Sequence, residues 1–158
     1  MNDAIAKIDA LRAEMNRHGA TYDLVTELTQ KSQLERFAGA AFVAVTGSAG
    51  GAVVVGHDMR PSSPALAAAF ARGAATAGAD VVMIGLASTD QLYFASGHLG
   101  LPGAMFTASH NPAQYNGIKM CRAGAAPIGQ DSGLADIRAS AERDAYDRAP
   151  GRVGSVSQ

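Results

Sequence analysis

Residues 52–86 decide the fold. They read Ala52-Val53-Val54-Val55-Gly56, a short link to Ser63-Pro64 with an alanine-rich stretch to about Ala77, and then Asp80 followed by Val81, Val82, Met83 and Ile84 up to Leu86. A short β-branched run that does not alternate with polar residues is a strand buried on both faces. Ser63 and Pro64 supply an N-cap and a first-turn proline for the alanine-rich helix. Strand, helix and second buried strand make one β-α-β step, which needs a parallel sheet with helices packed on it.

The same alternation extends outward. Ser88 to Gly97 reads as a short helix, Gly103 to Phe106 as a third strand, and Ile118 to Cys121 as a fourth, with a Gly-Ala-Ala-Pro loop after it. Leu134 to Tyr146 reads as a closing helix and Ala149 to Gln158 as a frayed tail. Upstream, Leu34 to Val45 is a helix that leads into the glycine-rich stretch Gly47 to Gly51. Ile5, Ile8, Leu11 and Met15 recur at helical spacing, which predicts an amphipathic helix over residues 3–18, with Asp3 able to cap it and Gly19 to terminate it. The expected class is α/β: a three-layer α/β/α domain with a mixed, mostly parallel sheet. The expected organisation is an extra N-terminal helix over 1–20, the domain itself over 21–148 and a flexible tail over 149–158.

A chain of 158 residues has room for one ordinary domain. Thirteen basic against fourteen acidic residues give a net charge of −1, without the basic excess that nucleic-acid binding uses. The expected partner is a small molecule or another protein. One cysteine, Cys121, cannot make an internal disulfide, and the N-terminus has no long apolar core, so the expected compartment is the reducing cytoplasm. Phe37 to Gly56 is uncharged over twenty residues, the length of a membrane span, but Gly47, Ser48, Ala49, Gly50 and Gly51 split it into a helix end, a turn and a strand.

In an open α/β sheet, chemistry sits on loops beyond the carboxyl ends of strands. Gly47 to Gly51 precedes a strand where a phosphate-cradling loop comes after one, and it lacks the lysine and hydroxyl of a P-loop, so it reads as a connector. The other loop is Thr107-Ala108-Ser109-His110-Asn111-Pro112, directly after a strand and succeeded by Tyr115-Asn116-Gly117-Ile118-Lys119. A serine beside a histidine suggests a hydrolase, but the G-x-S-x-G elbow is absent. A polar turn in which Ser109 and Asn111 satisfy their own backbone is the plain alternative. Asn116-Gly117 marks a tight turn that brings Lys119 back across the serine, and a serine facing a cation and a histidine suits phosphate chemistry.

These two segments, together with Val-Gly-His-Asp-Met-Arg-Pro-Ser-Ser-Pro at residues 55–64, resemble the first-domain signatures of the α-D-phosphohexomutases, the phosphomannomutase and phosphoglucomutase superfamily. The resemblance runs from about Leu34 to Gly129. It implies an isomerase of carbohydrate metabolism that acts as an intramolecular phosphotransferase, moving phosphate between the 1- and 6-positions of a hexose phosphate through a bisphosphate that also serves as activator. It implies that Ser109 is the phosphate carrier and, as phosphoserine, gives one oxygen to Mg²⁺. It implies acid-base work for Lys119, a catalytic place for His110 in positioning phosphate and sugar oxygens together with Asn111, and a phosphate contact for Thr107. Arg60, a phosphate-binding candidate, would brace or approach the loop.

The chain departs from the family pattern at Tyr22-Asp23-Leu24-Val25-Thr26, where Val25 and Thr26 stand in place of the arginine and glycine of Tyr-Asp-x-Arg-Gly. Valine offers none of the planar donors that arginine brings to phosphate. The metal loop, sugar-selecting and distal phosphate-binding domains have no counterpart in these residues. The expectation is therefore a phosphoserine domain that is incomplete and inactive alone, with the other parts either cut away from this sequence or supplied by another chain. The alternative is a non-catalytic relative that binds sugar phosphate or a protein, such as a second copy of itself in a homodimer through residues 3–18.

Overall fold

The computed structural model describes residues 31–143 and 151–158. Its elements are α1 (Lys31–Thr46), β1 (Ala52–His57), α2 (Ser63–Thr76), β2 (Asp80–Leu86), α3 (Thr89–Leu99), β3 (Gly103–Phe106), β4 (Ile118–Arg122), β5 (Ala126–Pro127), α4 (Leu134–Glu142) and β6 (Val156–Ser157). They build one six-stranded sheet in the order β5-β4-β3-β1-β2-β6. The β1–β2, β1–β3 and β2–β6 pairs are parallel, and β3–β4 and β4–β5 are antiparallel. The mixed, mostly parallel α/β sheet expected from the sequence is the one observed.

The alternation of side chains across β1 divides the core. Val53 and Val55 pack with Phe42 of α1, Phe70 of α2 and Leu134 and Ile137 of α4, while Val54 faces the other way onto Leu92 of α3 and Met105. Of the described helices, three thus cover one face and one covers the other. On the larger face, Phe70 stands 5.5 Å from both Phe42 and Phe106, ring centre to ring centre, which ties two helices to β3. Rings at this spacing add to the ~1.5–3 kcal/mol that burying each side chain contributes. The helices α1 and α2 meet where both are glycine: a Cβ on Gly39 would strike the Phe70 carbonyl, and one on Gly73 would strike the Arg36 carbonyl.

Chain order places the site. The chain passes from β1 out to β2 and then returns to the opposite side of β1 as β3, so the connections after β1 and β3 leave in different directions. Such a switch point opens a crevice beyond the carboxyl ends of the strands. A register shift between Val55 and Gly56 leaves Ile84 of β2 unpaired just before that edge.

Two local expectations are corrected. Ser63 is the first residue of α2 and not its cap, and its hydroxyl is committed to Asp58; Ser62 holds the cap position, without a side-chain bond to the helix. The expected frayed tail is anchored at its end, where Val156 and Ser157 pair with Val81 and Val82. It is anchored because Asp80 takes three donors from it: Arg152 Nη2 at 2.6 Å, Ser155 N–H at 2.8 Å and Ser155 Oγ at 2.9 Å. The helix expected over residues 3–18, the Tyr22–Thr26 segment and the last residues of the expected closing helix lie outside the described residues. No described helix is long and apolar enough to cross a membrane.

Candidate functional site

Strand β3 is buried at all four positions, and its buried run continues through Thr107 and Ala108 before the chain surfaces at Ser109 and His110. Ser109 has φ +54°, one of two described non-glycine residues with positive φ. An L-residue held there costs about 1–3 kcal/mol, so its surroundings must impose the conformation.

They do so from both sides of the residue. The Ser109 N–H donates to Thr107 Oγ1 at 3.0 Å, and the Ser109 carbonyl accepts from Arg60 Nη2 at 2.8 Å. Arg60 spends its whole donor set within the protein. Nη2 also donates to the Asn111 carbonyl at 2.8 Å, Nη1 donates to the carbonyls of Pro112 and Tyr115 at 2.8 and 3.2 Å, and Nε donates to Asp58 Oδ2 at 3.0 Å. A guanidinium has five N–H donors, so none remains for an incoming phosphate. Arg60, expected to brace the loop or reach the phosphate, braces it.

Asp58 anchors the arginine. Its Oδ1 accepts the Arg60 N–H at 3.0 Å and the Ser63 hydroxyl at 2.6 Å. Burial raises its pKa, but the bonds from Ser63, the Arg60 backbone and Thr107, with the Arg60 charge, outweigh burial and hold the carboxyl below its ordinary value of 3.8. The far end of the loop is closed by Asn116, which is buried and donates from Nδ2 to Ser62 Oγ and Ser63 Oγ at 2.8 Å while its Oδ1 accepts the Gly117 N–H. Asp58 and Asn116 were not among the expected site residues. The polar cluster Asp58, Arg60, Ser62, Ser63 hinted at them, but the pairing runs across more than fifty residues of sequence.

Of the residues expected at the site, Ser109, His110, Asn111 and Thr107 are brought together by this loop. His110 Nδ1 lies 3.4 Å from Ser109 Oγ, at the long end of hydrogen-bond reach. Lys119 is half-buried on β4 opposite Met105, four residues before Ser109, and its side chain makes no ion pair among the described residues. The Asn116-Gly117 turn pairs Gly117 with Thr107 and sets Lys119 on the strand beside the one that carries the loop. The connector Gly47 to Gly51 makes only backbone and hydroxyl contacts at the opposite end of β1.

The described residues do not by themselves make a divalent-metal site. No three of His, Cys, Asp and Glu cluster there. Both Asp58 oxygens already accept hydrogen bonds. One phosphate oxygen on Ser109 would fall short of the near-octahedral set that Mg²⁺ takes.

Residues 10–148 match the family model described as phosphoglucomutase/phosphomannomutase, alpha/beta/alpha domain I. A phosphomannomutase from Klebsiella pneumoniae is 47% identical over 110 residues, covering 68% of this chain and 70% of that protein. An Escherichia coli phosphomannomutase is also 47% identical over 110 residues, but they are 24% of its length. Among solved structures, a phosphoglucomutase/phosphomannomutase family protein from Burkholderia thailandensis superposes with TM-score 0.73 at 32% identity, over 88% of this chain and 32% of the other. A Thermus thermophilus protein described as a phosphomannomutase superposes with TM-score 0.68 at 34% identity, again over 32% of its own length.

Proposed function

The chain belongs to the phosphoglucomutase/phosphomannomutase family through its first α/β/α domain, and from that premise we propose that it carries the phosphoryl group in the interconversion of hexose 1- and 6-phosphates. The observation that carries the proposal is Ser109, exposed at the switch point of the sheet on a backbone clamped at both its N–H and its carbonyl. Phosphoryl transfer asks little covalent chemistry of a protein and much positioning, which this loop supplies.

In the step proposed, Ser109 Oγ attacks the phosphorus of a hexose 1,6-bisphosphate. The P–O bond to the sugar breaks, the leaving sugar oxygen takes a proton from Lys119, and the serine proton passes to a neighbouring base, for which His110 Nδ1 is the described group at 3.4 Å. The reverse step returns the phosphoryl group to the other hydroxyl of the sugar. Lys119 brings positive charge and acid-base capacity toward that oxygen, Asn111 and Thr107 orient phosphate and loop, and Arg60 contributes through the shape of the loop. Mg²⁺ supplies charge neutralisation when bound. A phosphate on Ser109 would offer it one oxygen, and its other ligands would have to come from outside the described residues.

The chain spans about a quarter to a third of several of its relatives, and the proposal assigns it the carrier half of the reaction, with little turnover alone. Val25 and Thr26 at the expected arginine and glycine favour a second reading, a non-catalytic relative that binds sugar phosphate or a protein partner. A soluble protein of the cytoplasm is common to both.

Incubation with phosphoryl-labelled hexose 1,6-bisphosphate and Mg²⁺ separates them. The carrier reading expects one label per chain, lost in Ser109→Ala. Reversible sugar-phosphate binding with no covalent label supports the second reading.

A further inference from the structure

Ser109 sits in a conformation that a serine does not choose, and the groups that impose it lie behind the loop. Arg60 is 8% exposed, and its donors converge on carbonyls at Ser109, Asn111, Pro112 and Tyr115. Asp58 fixes the guanidinium through Nε and the Arg60 backbone, and shares Ser63 with Asn116. Thr107 holds the near end of the loop, since its hydroxyl accepts the Ser109 N–H, and the same side chain helps to lower the Asp58 carboxyl.

We propose that Asp58, Arg60, Thr107 and Asn116 are positioning residues, a preformed clamp that fixes the left-handed Ser109 peptide so that Oγ faces the phosphoryl donor. Arg60 acts through the fork of its guanidinium and makes no bond to phosphate. A residue that attracts phosphate by charge is partly replaced by lysine, whereas one that binds four carbonyls and a carboxylate at fixed angles is not. The clamp rests on the carrier reading of Ser109 for its consequence, but its geometry is testable without any phosphoryl transfer.

The test compares the parent chain with Arg60→Lys by amide hydrogen exchange and by labelled phosphoryl uptake from hexose 1,6-bisphosphate. The clamp predicts native exchange in β1 and α2, exchange at least about tenfold faster at the Ser109 amide, and a maximal uptake rate about a hundredfold lower at an unchanged half-saturating concentration. An unchanged maximal rate with a raised half-saturating concentration would mean that Arg60 bonds phosphate, and would overturn the proposal. So would native exchange at Ser109. If Arg60→Lys fails to fold, Thr107→Val and Thr107→Ser decide: valine, with no hydroxyl, releases the Ser109 amide and slows uptake, and serine restores both. Equal behaviour of the two would overturn the clamp. If the parent takes up no label, the carrier reading fails, while the exchange measurements still decide the clamp.

Discussion

Two aspartate–arginine pairs hold two different segments of this molecule, and they are unequal in a way that distance does not show. The Asp80–Arg152 contact is the shorter at 2.6 Å, but its side chains are 37% and 49% exposed; the Asp58–Arg60 contact is 3.0 Å, with side chains 19% and 9% exposed. The exposed pair anchors a two-residue edge strand. The buried pair organises a loop, because a guanidinium removed from water must give every donor an acceptor, and the acceptors available are the carbonyls around Ser109. Burial converts an ion pair into a constraint on backbone shape.

The largest test of that contrast is deletion of each arginine. Arg60→Ala leaves a carboxylate and four carbonyls without their partner, and is expected to destabilise the chain by about 3–5 kcal/mol in urea unfolding. Arg152→Ala should leave the unfolding midpoint nearly unchanged, as expected of an exposed pair. Equal losses would break the comparison.

Asp58→Asn is expected to cost less than Arg60→Ala, about 1–3 kcal/mol, since the amide oxygen still accepts from one of the donors. Double replacement of Asp58 and Arg60 should then cost less than the sum of the two single losses, because the second removal no longer orphans a charge. A strictly additive result would show that the two side chains do not act as a unit.

Acid sharpens the comparison further. Ser155 N–H and Oγ, with Arg152, bring the Asp80 carboxyl down to about 2, and Asp58 is also held below 3.8. Carboxylates lowered by folding stabilise the native state above the unfolded value, and that contribution is lost as pH falls through the folded one. The urea midpoint should hold level from neutrality to about pH 4 and fall between there and about pH 2. Asp80→Asn should flatten that fall more than Asp58→Asn, because the Asp80 carboxyl is lowered further and burial opposes the lowering at Asp58.

The smallest effect belongs to the edge strand. The Val81 N–H donates to the Ser155 carbonyl at 2.7 Å, so Asp80→Ala should speed hydrogen exchange at Val81 and leave the amides of β1 protected. Loss of protection across the whole sheet would make β6 part of the core's cooperative unit.

The sheet is legible in the sequence at β1 and β2, where β-branched runs buried on both faces leave few other structures. The serine loop is legible too, because turn residues come directly after an apolar strand. β6 is hidden: two residues carry no periodicity, and the strand exists because Asp80 anchors Arg152 and Ser155 just ahead of it. Ser63 reads as a cap for a related reason, since cap preference is a local property while its hydroxyl answers to Asp58. The role of Arg60 is the least accessible, because a side chain that serves four carbonyls 49–55 residues away leaves no trace in its own neighbourhood.

The most direct measurement is peptide mapping of phosphate by mass spectrometry, on the chain isolated without phosphatase and then charged with hexose 1,6-bisphosphate. The account predicts a single phosphorylated residue, Ser109, with its occupancy raised by the bisphosphate and abolished in Ser109→Ala. Phosphate on another residue, or none on Ser109 after charging, would contradict it.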